Sequence, residues 1–270
     1  MITGHIKTRR GISPVIATVI LTGIMLTIIS VALYYSTSLI DLNRQTMEYE
    51  YAKEQLSYAA TALEQVAFGT GGSRYIRLSL TSTRASFINT SLPLTVTASG
   101  GSTTIDVYRD VPLYLQVCGG SLVTTTPKLI YPETGDLQSE TGKLIVGAGE
   151  SIVVVYENFT KGACSYLVPR IRAFFSGQIN VTVGGTVLRY NYYVLHIIKL
   201  KFGALGGSGT IPIIFRNINM TVNEYRFDSV SNLSITATKG TTSQTILLTG
   251  PPSDGAVLVV KVAVVSISTS

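Results

Sequence analysis

Residues that could carry out acid–base or nucleophilic chemistry are few in this chain. Only two of its 270 residues are histidines, and one of them, His5, precedes a long apolar segment. The other, His196, lies in a strand-like apolar run, where an isolated histidine is more often a packed, hydrogen-bonded side chain than a general base. Serines are plentiful, but none lies in a nucleophile-elbow sequence. The sequence therefore indicates no catalytic residue, and we expect the chain not to be an enzyme.

Acidic side chains crowd two places that could bind a metal ion. Glu133, Asp136 and Glu140 lie close together in a predicted loop, and Asp106 and Asp110 share one face of a predicted strand. Calcium binds such carboxylate oxygens, but the spacing fits no EF-hand loop, and solvated loop acids are the ordinary explanation. One histidine in the later part of the chain is too few for a zinc site with two cysteines. We therefore predict no metal site and no cofactor.

The element that must position any functional surface is a run of 29 uncharged residues, 12–40. About 20 apolar residues cross the hydrocarbon core of a bilayer as a helix, so this run is long enough to span a membrane. Four basic residues precede it, and the positive-inside rule keeps them in the cytoplasm and sends the chain after Asp41 outward. These four are His5, Lys7, Arg9 and Arg10.

The helical pattern extends beyond the apolar run. Ser13 and Pro14 are favourable at a helix start, and the glycine-rich residues 69–72 end the pattern. Between them, apolar residues recur every seven positions at Leu42, Tyr49, Leu56 and Leu63, and Ala52, Ala59 and Val66 follow the last three. This heptad seam predicts one helix over residues 13–68, about 84 Å long, whose part from 41 to 68 is amphipathic. The alternative is a membrane anchor followed by a separate coiled-coil stalk.

After the helix the apolar period changes to two, which predicts about eleven strands and no further helix. The strand-like segments are 75–80, 92–97, 111–117, 152–156, 179–183, 188–202, 211–217, 233–238, 245–248 and 257–267. The fold class is therefore α+β, with one long N-terminal helix followed by an antiparallel β-sandwich head, Ig-like or elaborated, over residues 69–270. Apart from Lys261, residues 257–265 are apolar on both faces and should form an interior strand, covered by the other sheet or by the amphipathic part of the helix. Glycines at 203–209 could divide the head, although we favour a single one.

The junction of the basic and apolar segments resembles a known signal. Arg9-Arg10-Gly11 followed by the apolar residues 12–21 is similar to the class III signal peptide of archaeal type IV pilins and pilin-like proteins, and the likeness covers about residues 7–40. It implies that a prepilin peptidase cuts between Gly11 and Ile12 and leaves the hydrophobic helix on the mature protein. Bacterial pilins generally carry glutamate at the fifth mature position, which here is Ile16, so the archaeal relatives fit better.

Two other targeting interpretations stay open. Residues 30–32, Ser-Val-Ala, could be cut by a conventional signal peptidase, and Arg9-Arg10 could belong to a twin-arginine signal. The apolar stretch before Ala32 is long for a signal peptide, and the helical pattern continues through that point. The residues after the arginine pair do not match the twin-arginine pattern. We therefore favour cleavage after Gly11.

The head carries two kinds of candidate covalent modification. Cys118 and Cys164 are the only cysteines, and an even number in an outward-facing domain favours a disulfide, although two buried thiols remain the alternative. Five Asn-x-Ser/Thr triplets are candidate glycosylation sites, and they begin at Asn89, Asn158, Asn180, Asn219 and Asn232. Asn180 lies in a strand-like segment, where neighbouring residues could block it.

The net charge gives no reason to expect a nucleic-acid partner. The formal charge is +6, but three of the 21 basic residues, Lys7, Arg9 and Arg10, belong to the predicted leader. Without them 18 basic residues face 15 acidic ones, a net of +3. That is weak beside the basic surfaces that neutralise several phosphates.

The long apolar helix and the β-rich head together favour a filament subunit. Small residues let neighbouring helices approach closely, and the candidates for helix packing are Thr18 and Thr22 in one direction and Gly23, Thr27 and Ser30 in another. We predict a structural subunit of an archaeal type IV pilus-like filament, located in the cell membrane as a precursor and then extracellular, with a possible role in adhesion. Its partners would be copies of itself or other pilins, the prepilin peptidase and the pilus assembly machinery. The alternatives are a minor pilin-like or membrane-anchored surface binding protein that does not polymerise by itself, and, least favoured, an exported hydrolase.

Overall fold

The computed structural model describes residues 14–69, 72–159, 162–204, 206–207 and 209–269. By their contacts, residues separate into two compact units, Met1–Arg44 and Gln45–Ser270. The predicted leader, with the cleavage site at Gly11 and Ile12, lies outside the described residues. The second unit contains all the described strands.

The long N-terminal helix is confirmed. Helix α1 spans Pro14–Phe68, 55 residues without interruption, so no break separates an anchor from a stalk. Among the described residues it is the one helix long and apolar enough to cross a membrane. Such a helix near the N-terminus is compatible with a membrane anchor or a signal sequence.

The rest of the described chain contains fifteen strands and one short helix, joined by turns and loops. The strands are β1 (Ser73–Ser79), β2 (Arg84–Asn89), β3 (Leu94–Gly100), β4 (Thr103–Asp110), β5 (Leu113–Cys118), β6 (Lys128–Tyr131), β7 (Ile145–Val146), β8 (Val153–Phe159), β9 (Ala163–Pro169), β10 (Ile171–Val183), β11 (Thr186–Phe202), β12 (Thr210–Asp228), β13 (Leu233–Lys239), β14 (Thr242–Leu248) and β15 (Gly255–Ser268). Every predicted strand segment falls on one of them. The expectation of no second helix is wrong, because α2 spans Leu137–Gly142. Asp136 caps it by accepting a hydrogen bond from the Ser139 backbone amide at 3.1 Å.

The strands form three sheets, which confirms an α+β fold with a mostly antiparallel β domain. The sheets have the strand orders β1-β12-β15-β11-β10-β7, β14-β13-β3-β4 and β2-β5-β9-β8-β6. Two pairs are parallel, contrary to an entirely antiparallel head: β15 runs parallel to β11, and β7 runs parallel to β10. A parallel pair needs a long crossover, and β12 to β14 supply it between β11 and β15.

The six-stranded sheet carries an apolar core on each face. On one face, Ile198 and Leu200 of β11 pack with residues of α1 and of the five-stranded sheet, and we call this the helix-side core. On the other face, Leu195 and Ile197 pack against the four-stranded sheet. Alternation along β11 explains how one strand serves both cores. The run 257–265 forms the interior strand β15, between β11 and β12, as predicted.

Candidate assembly surface

The first unit is a helix segment whose apolar surface is uncovered in this chain. From Val15 to Ile40 its large apolar side chains are between 51% (Leu39) and 75% (Tyr34) exposed. Apolar area in water costs about 25 cal/mol per Å². A segment of this composition therefore needs lipid or other protein around it.

Among the small residues proposed for helix packing, the hydroxyl groups are already hydrogen-bonded within the helix. Their hydroxyls bond back to the carbonyl groups of the preceding turn at 2.8 to 3.0 Å: Thr18 to Val15, Thr22 to Thr18 and Val19, Thr27 to Gly23, and Ser30 to Leu26. Such internal bonds satisfy the hydroxyl where no water is present. A Cβ atom added at Gly23 would meet no atom of this chain within 4 Å. Packing within the chain therefore does not require a glycine here, although glycine costs about 1 kcal/mol relative to alanine in a helix.

In the second unit the same helix is buried along one side. Tyr49, Leu56 and Leu63 of the heptad seam are at most 1% exposed, as are Ala52 and Ala59. Ala52, Leu56, Ala59 and Leu63 pack on two sheets rather than on another helix, and Tyr49 packs on Val123 and Ala163, so the seam holds the head and not a coiled-coil partner. The interpretation as a separate coiled stalk is therefore wrong.

Polar contacts secure the start of this buried helix segment. The Glu48 carboxylate accepts hydrogen bonds from the backbone amides of Thr81 (2.7 Å) and Ser82 (3.0 Å) and from the Ser82 hydroxyl. Burial alone would raise the pKa of Glu48, but these hydrogen bonds outweigh it and the pKa is lowered. Tyr49 and Ser165 share a buried hydrogen bond of 2.8 Å between their hydroxyls.

Further contacts hold the middle and the end of the segment. Lys53 bridges Glu50 (2.7 Å) and the nearly buried Glu157 (3.0 Å). Near the end, Arg172 pairs with Glu64 at 2.6 Å. The Asn217 side-chain amide donates to the carbonyl groups of Val66 and Ala67, both at 3.2 Å, and so satisfies acceptors that a helix end leaves free.

His196 is a packing residue in this structure. Its ring stacks on Phe68 with centroids 4.1 Å apart and meets the edge of Phe174 at 5.4 Å. Burial, and then the positive charges of Lys261 and Arg172, lower its pKa to about 4. Its Nδ1 atom has no hydrogen-bond partner among the described residues. No described serine or carboxylate bonds to this ring, so the geometry offers no triad.

The acids at 133, 136 and 140, for which calcium was considered, have separate environments. Asp136 caps α2, whereas the buried Glu140 pairs with Arg170 at 2.8 Å and with Lys143 at 2.7 Å. Burial would raise the pKa of Glu140, but Lys143 and Arg170 outweigh it and the pKa is lowered. Glu133 is exposed. In the described chain no group of three or more histidine, cysteine, aspartate or glutamate side chains could hold a metal ion.

The other acidic pair is also divided. Asp110 bonds Lys199 at 2.5 Å and Tyr108 at 3.3 Å, whereas Asp106 is exposed. A small cavity nearby has a volume of only about 20 Å³. A second cavity of about 100 Å³ is lined in part by Lys239. Burial lowers the pKa of Lys239, and its ammonium group donates a hydrogen bond to the Tyr114 hydroxyl. Both spaces suit water molecules rather than an organic substrate.

The structure joins Cys118 and Cys164 in a disulfide. The two residues lie directly opposite one another on the paired strands β5 and β9, with Cα atoms 4.0 Å apart. The 46-residue separation encloses β6 to β8 and α2. Neither cysteine in the described chain is free.

Four of the five sequon asparagines are exposed, and one is half-buried. The exposed ones are Asn89, Asn180, Asn219 and Asn232. Asn180 lies on β10, where neighbouring residues could have blocked it, but its side chain is exposed to solvent. The half-buried one is Asn158, whose side-chain oxygen accepts a hydrogen bond from the Phe159 amide at 2.8 Å. Asn232 accepts a weaker bond from Gly250 at 3.2 Å.

Sequence reasoning found the helix seam and the disulfide but missed the long-range hydrogen bonds and ion pairs of the second unit. Glu48, Arg170 and Asn217 meet partners that are tens of residues away in the sequence, and no local motif marks them. Comparison with protein-family models, with curated proteins and with solved structures finds no match to the chain. The arguments for a function therefore come from the chain itself.

Proposed function

We propose that the chain is a structural subunit of an archaeal type IV pilus-like cell-surface filament, assembled through its N-terminal helix. One observation carries the proposal: a single helix is buried in the head from Tyr49 onward but uncovered and uncharged from Val15 to Ile40. Such a segment exposes on the order of a thousand Å² of apolar surface, which would cost about 25 kcal/mol in water. Lipid removes this cost before assembly, and copies of the same helix remove it in a filament core.

The residues along the segment support packing between helices. Gly23 has open space around it, and the nearby hydroxyls are satisfied by their own helix. Close approach at small residues supplies van der Waals contact where no hydrophobic force favours helices over lipid. In this proposal the helices bundle in the core, and the disulfide-bonded heads, with their exposed sequons, coat the outside and serve adhesion.

The test combines one substitution with a matched control. Gly23→Leu should abolish filaments seen by electron microscopy while membrane insertion and the folded head persist, because leucine fills the space that a neighbouring helix needs. Ile24→Leu, one residue away and of equal bulk, should assemble normally. Mass spectrometry of sheared filaments should show this chain with Ile12 as its first residue.

The opposite results would decide against the proposal. A mature chain that starts at Met1 or Leu33 would contradict cleavage after Gly11. Dispersed membrane monomers in both variants would instead favour the second candidate, a membrane-anchored or minor pilin-like surface binding protein. The uncovered apolar helix fits that candidate too, since lipid alone can cover it.

A further inference from the structure

A third apolar cluster on the six-stranded sheet has only one layer. It contains Tyr190 and Val194 on β11 and Val257 and Val259 on β15, and its partly buried neighbours all come from β10 and β11. We call this cluster the open face. Its four residues keep 8 or 9% exposure, whereas most residues of the two large cores keep 0 to 2%. An apolar sheet face normally buries itself against a second layer. In the described chain, the partly buried neighbours of this cluster come from the sheet itself, and the Arg226 guanidinium lies over the Tyr190 ring at 4.7 Å.

The open face continues the surface on which α1 packs. Val194 and Tyr190 lie on the same side of β11 as Ile198 of the helix-side core, because alternate residues of a strand share a face. His196 lies between Val194 and Ile198 on this side and stacks on Phe68, the last residue of α1. The helix therefore covers this side of the sheet as far as His196 and leaves the rest uncovered.

Exposed apolar side chains extend the open face on the β10 side. On β10, Ile179 is 42% and Val181 is 38% exposed, and they pair with Tyr190 and Leu188, which fixes their side of the sheet. On β12, the residues opposite Val259 and Val257 are the exposed Glu224 and Arg226, so charged side chains border the open face there. Contiguous apolar surface like that over β10, β11 and β15 marks an interaction site more often than isolated exposed residues do.

The dimensions of the open face match a helix. Strands β10, β11 and β15 are adjacent, so their outer two axes lie roughly 10 Å apart, about the diameter of a helix. From Val194 to Leu188 the strand advances about 20 Å, which equals the length of about 13 helical residues. The packing of α1 on the neighbouring part of the same sheet side shows that this surface accommodates a helix.

We propose that the open face of one copy binds the apolar helix segment 15–40 of a second copy. This inference rests on the proposed filament function and names one of its contacts. Residues 15–40 are uncharged and form the largest exposed apolar surface among the described residues, so they are the complement that the chain itself offers. Because the two surfaces differ, the contact is heterologous: each bound copy still presents a free segment or a free face, and addition of copies can continue.

A pair of valines on one hairpin provides the test. Val181 and Val187 belong to neighbouring strands and are 38% and 54% exposed, but Val187 pairs with Thr182 and lies on the opposite side of the sheet. In the full-length chain, Val181→Glu should lower filament yield roughly tenfold or more, because it places an unpaired carboxylate in an apolar contact. Val187→Glu should assemble normally. Ile179→Glu, which places a second carboxylate on the β10 side of the open face, should repeat the defect.

Photo-cross-linking identifies the occupant. A benzophenone amino acid at position 179, in filaments that mix two isotope-labelled forms of the chain, should link to peptides within residues 15–40 of the other copy. Links to heads only, or normal assembly of Val181→Glu and Ile179→Glu, would overturn the inference. If Gly23→Leu blocks assembly while the two glutamate variants assemble, the filament function stands and this contact does not exist. If the unaltered chain forms no filaments, both proposals fail.

Discussion

His196, the one histidine in the described chain, is held neutral by its surroundings. Phe68 and Phe174 cover its ring, and Arg172 and Lys261 place positive charges near it. Its pKa is therefore about 4 in the folded protein, compared with about 6.5 in an unfolded chain. Between these two pH values the unfolded state binds a proton that the folded state does not.

Stability should consequently fall as the pH drops from about 6.5 to about 4. The ring is only partly shielded from solvent, so we expect a loss of about 1 to 2 kcal/mol over this range. His196→Phe keeps an aromatic ring against Phe68 and should remove this part of the pH dependence. Chemical denaturation of the detergent-solubilised chain between pH 4 and 7.5 measures it.

Acidic residues provide the internal reference for that measurement. The pKa values of Glu48, Glu140 and Glu150 are lowered below 4.5, so their contribution is present above that pH and is lost only at lower pH. The stability contribution of these glutamates should be the same in the unaltered protein and in His196→Phe. Equal pH dependence of the two proteins between pH 4 and 6.5 would contradict the neutral state of His196.

The disulfide leads to a second prediction at the residue scale. Peptide mapping without reductant should recover the peptides of Cys118 and Cys164 linked together. Replacing both cysteines by serine should destabilise the head by about 2 to 4 kcal/mol, because the open chain regains the entropy of the 46-residue loop. Thiols that alkylate at both positions in protein isolated without reductant would disprove the bridge.

At the scale of elements, the buried half of α1 serves as a central part of the head. Leu56 is fully buried between two sheets, whereas Tyr58, two residues later, is 59% exposed. Leu56→Ala should lower the free energy of unfolding of the head by about 2 to 5 kcal/mol, and Tyr58→Ala by about 0.5 kcal/mol or less. Denaturant unfolding followed by tyrosine fluorescence compares them. Similar losses in both variants would show that the helix is not part of the core.

Periodicity revealed most of these elements but not their partners. The seven-residue seam located the buried side of α1 because helical spacing survives in any packing environment. Strands β2, β6, β7 and β9 escaped prediction, since they are short or have no clear alternation, and β4 was anticipated only by the shared face of Asp106 and Asp110. The parallel pairing of β11 with β15 depends on tertiary contacts, which alternation does not encode.

At the scale of the whole molecule, the sequence favoured the correct fold class but overestimated its regularity. An antiparallel sandwich would have two layers, whereas this head distributes its strands over three sheets and includes the end of α1 in one core. Candidate functional residues were harder to predict because they also depend on which strands become neighbours in the fold. The open face combines residues of β10, β11 and β15, and it is recognisable only once those strands are adjacent.

The position of β15 has a consequence for the order in which the molecule is made. This last strand pairs with β11 on one side and with β12 on the other, over nearly its whole length. Until residues 255–268 have been synthesised, the six-stranded sheet lacks its central strand and both cores lack part of their apolar surface. A ribosome-bound chain therefore cannot form the native head until its last strand has emerged.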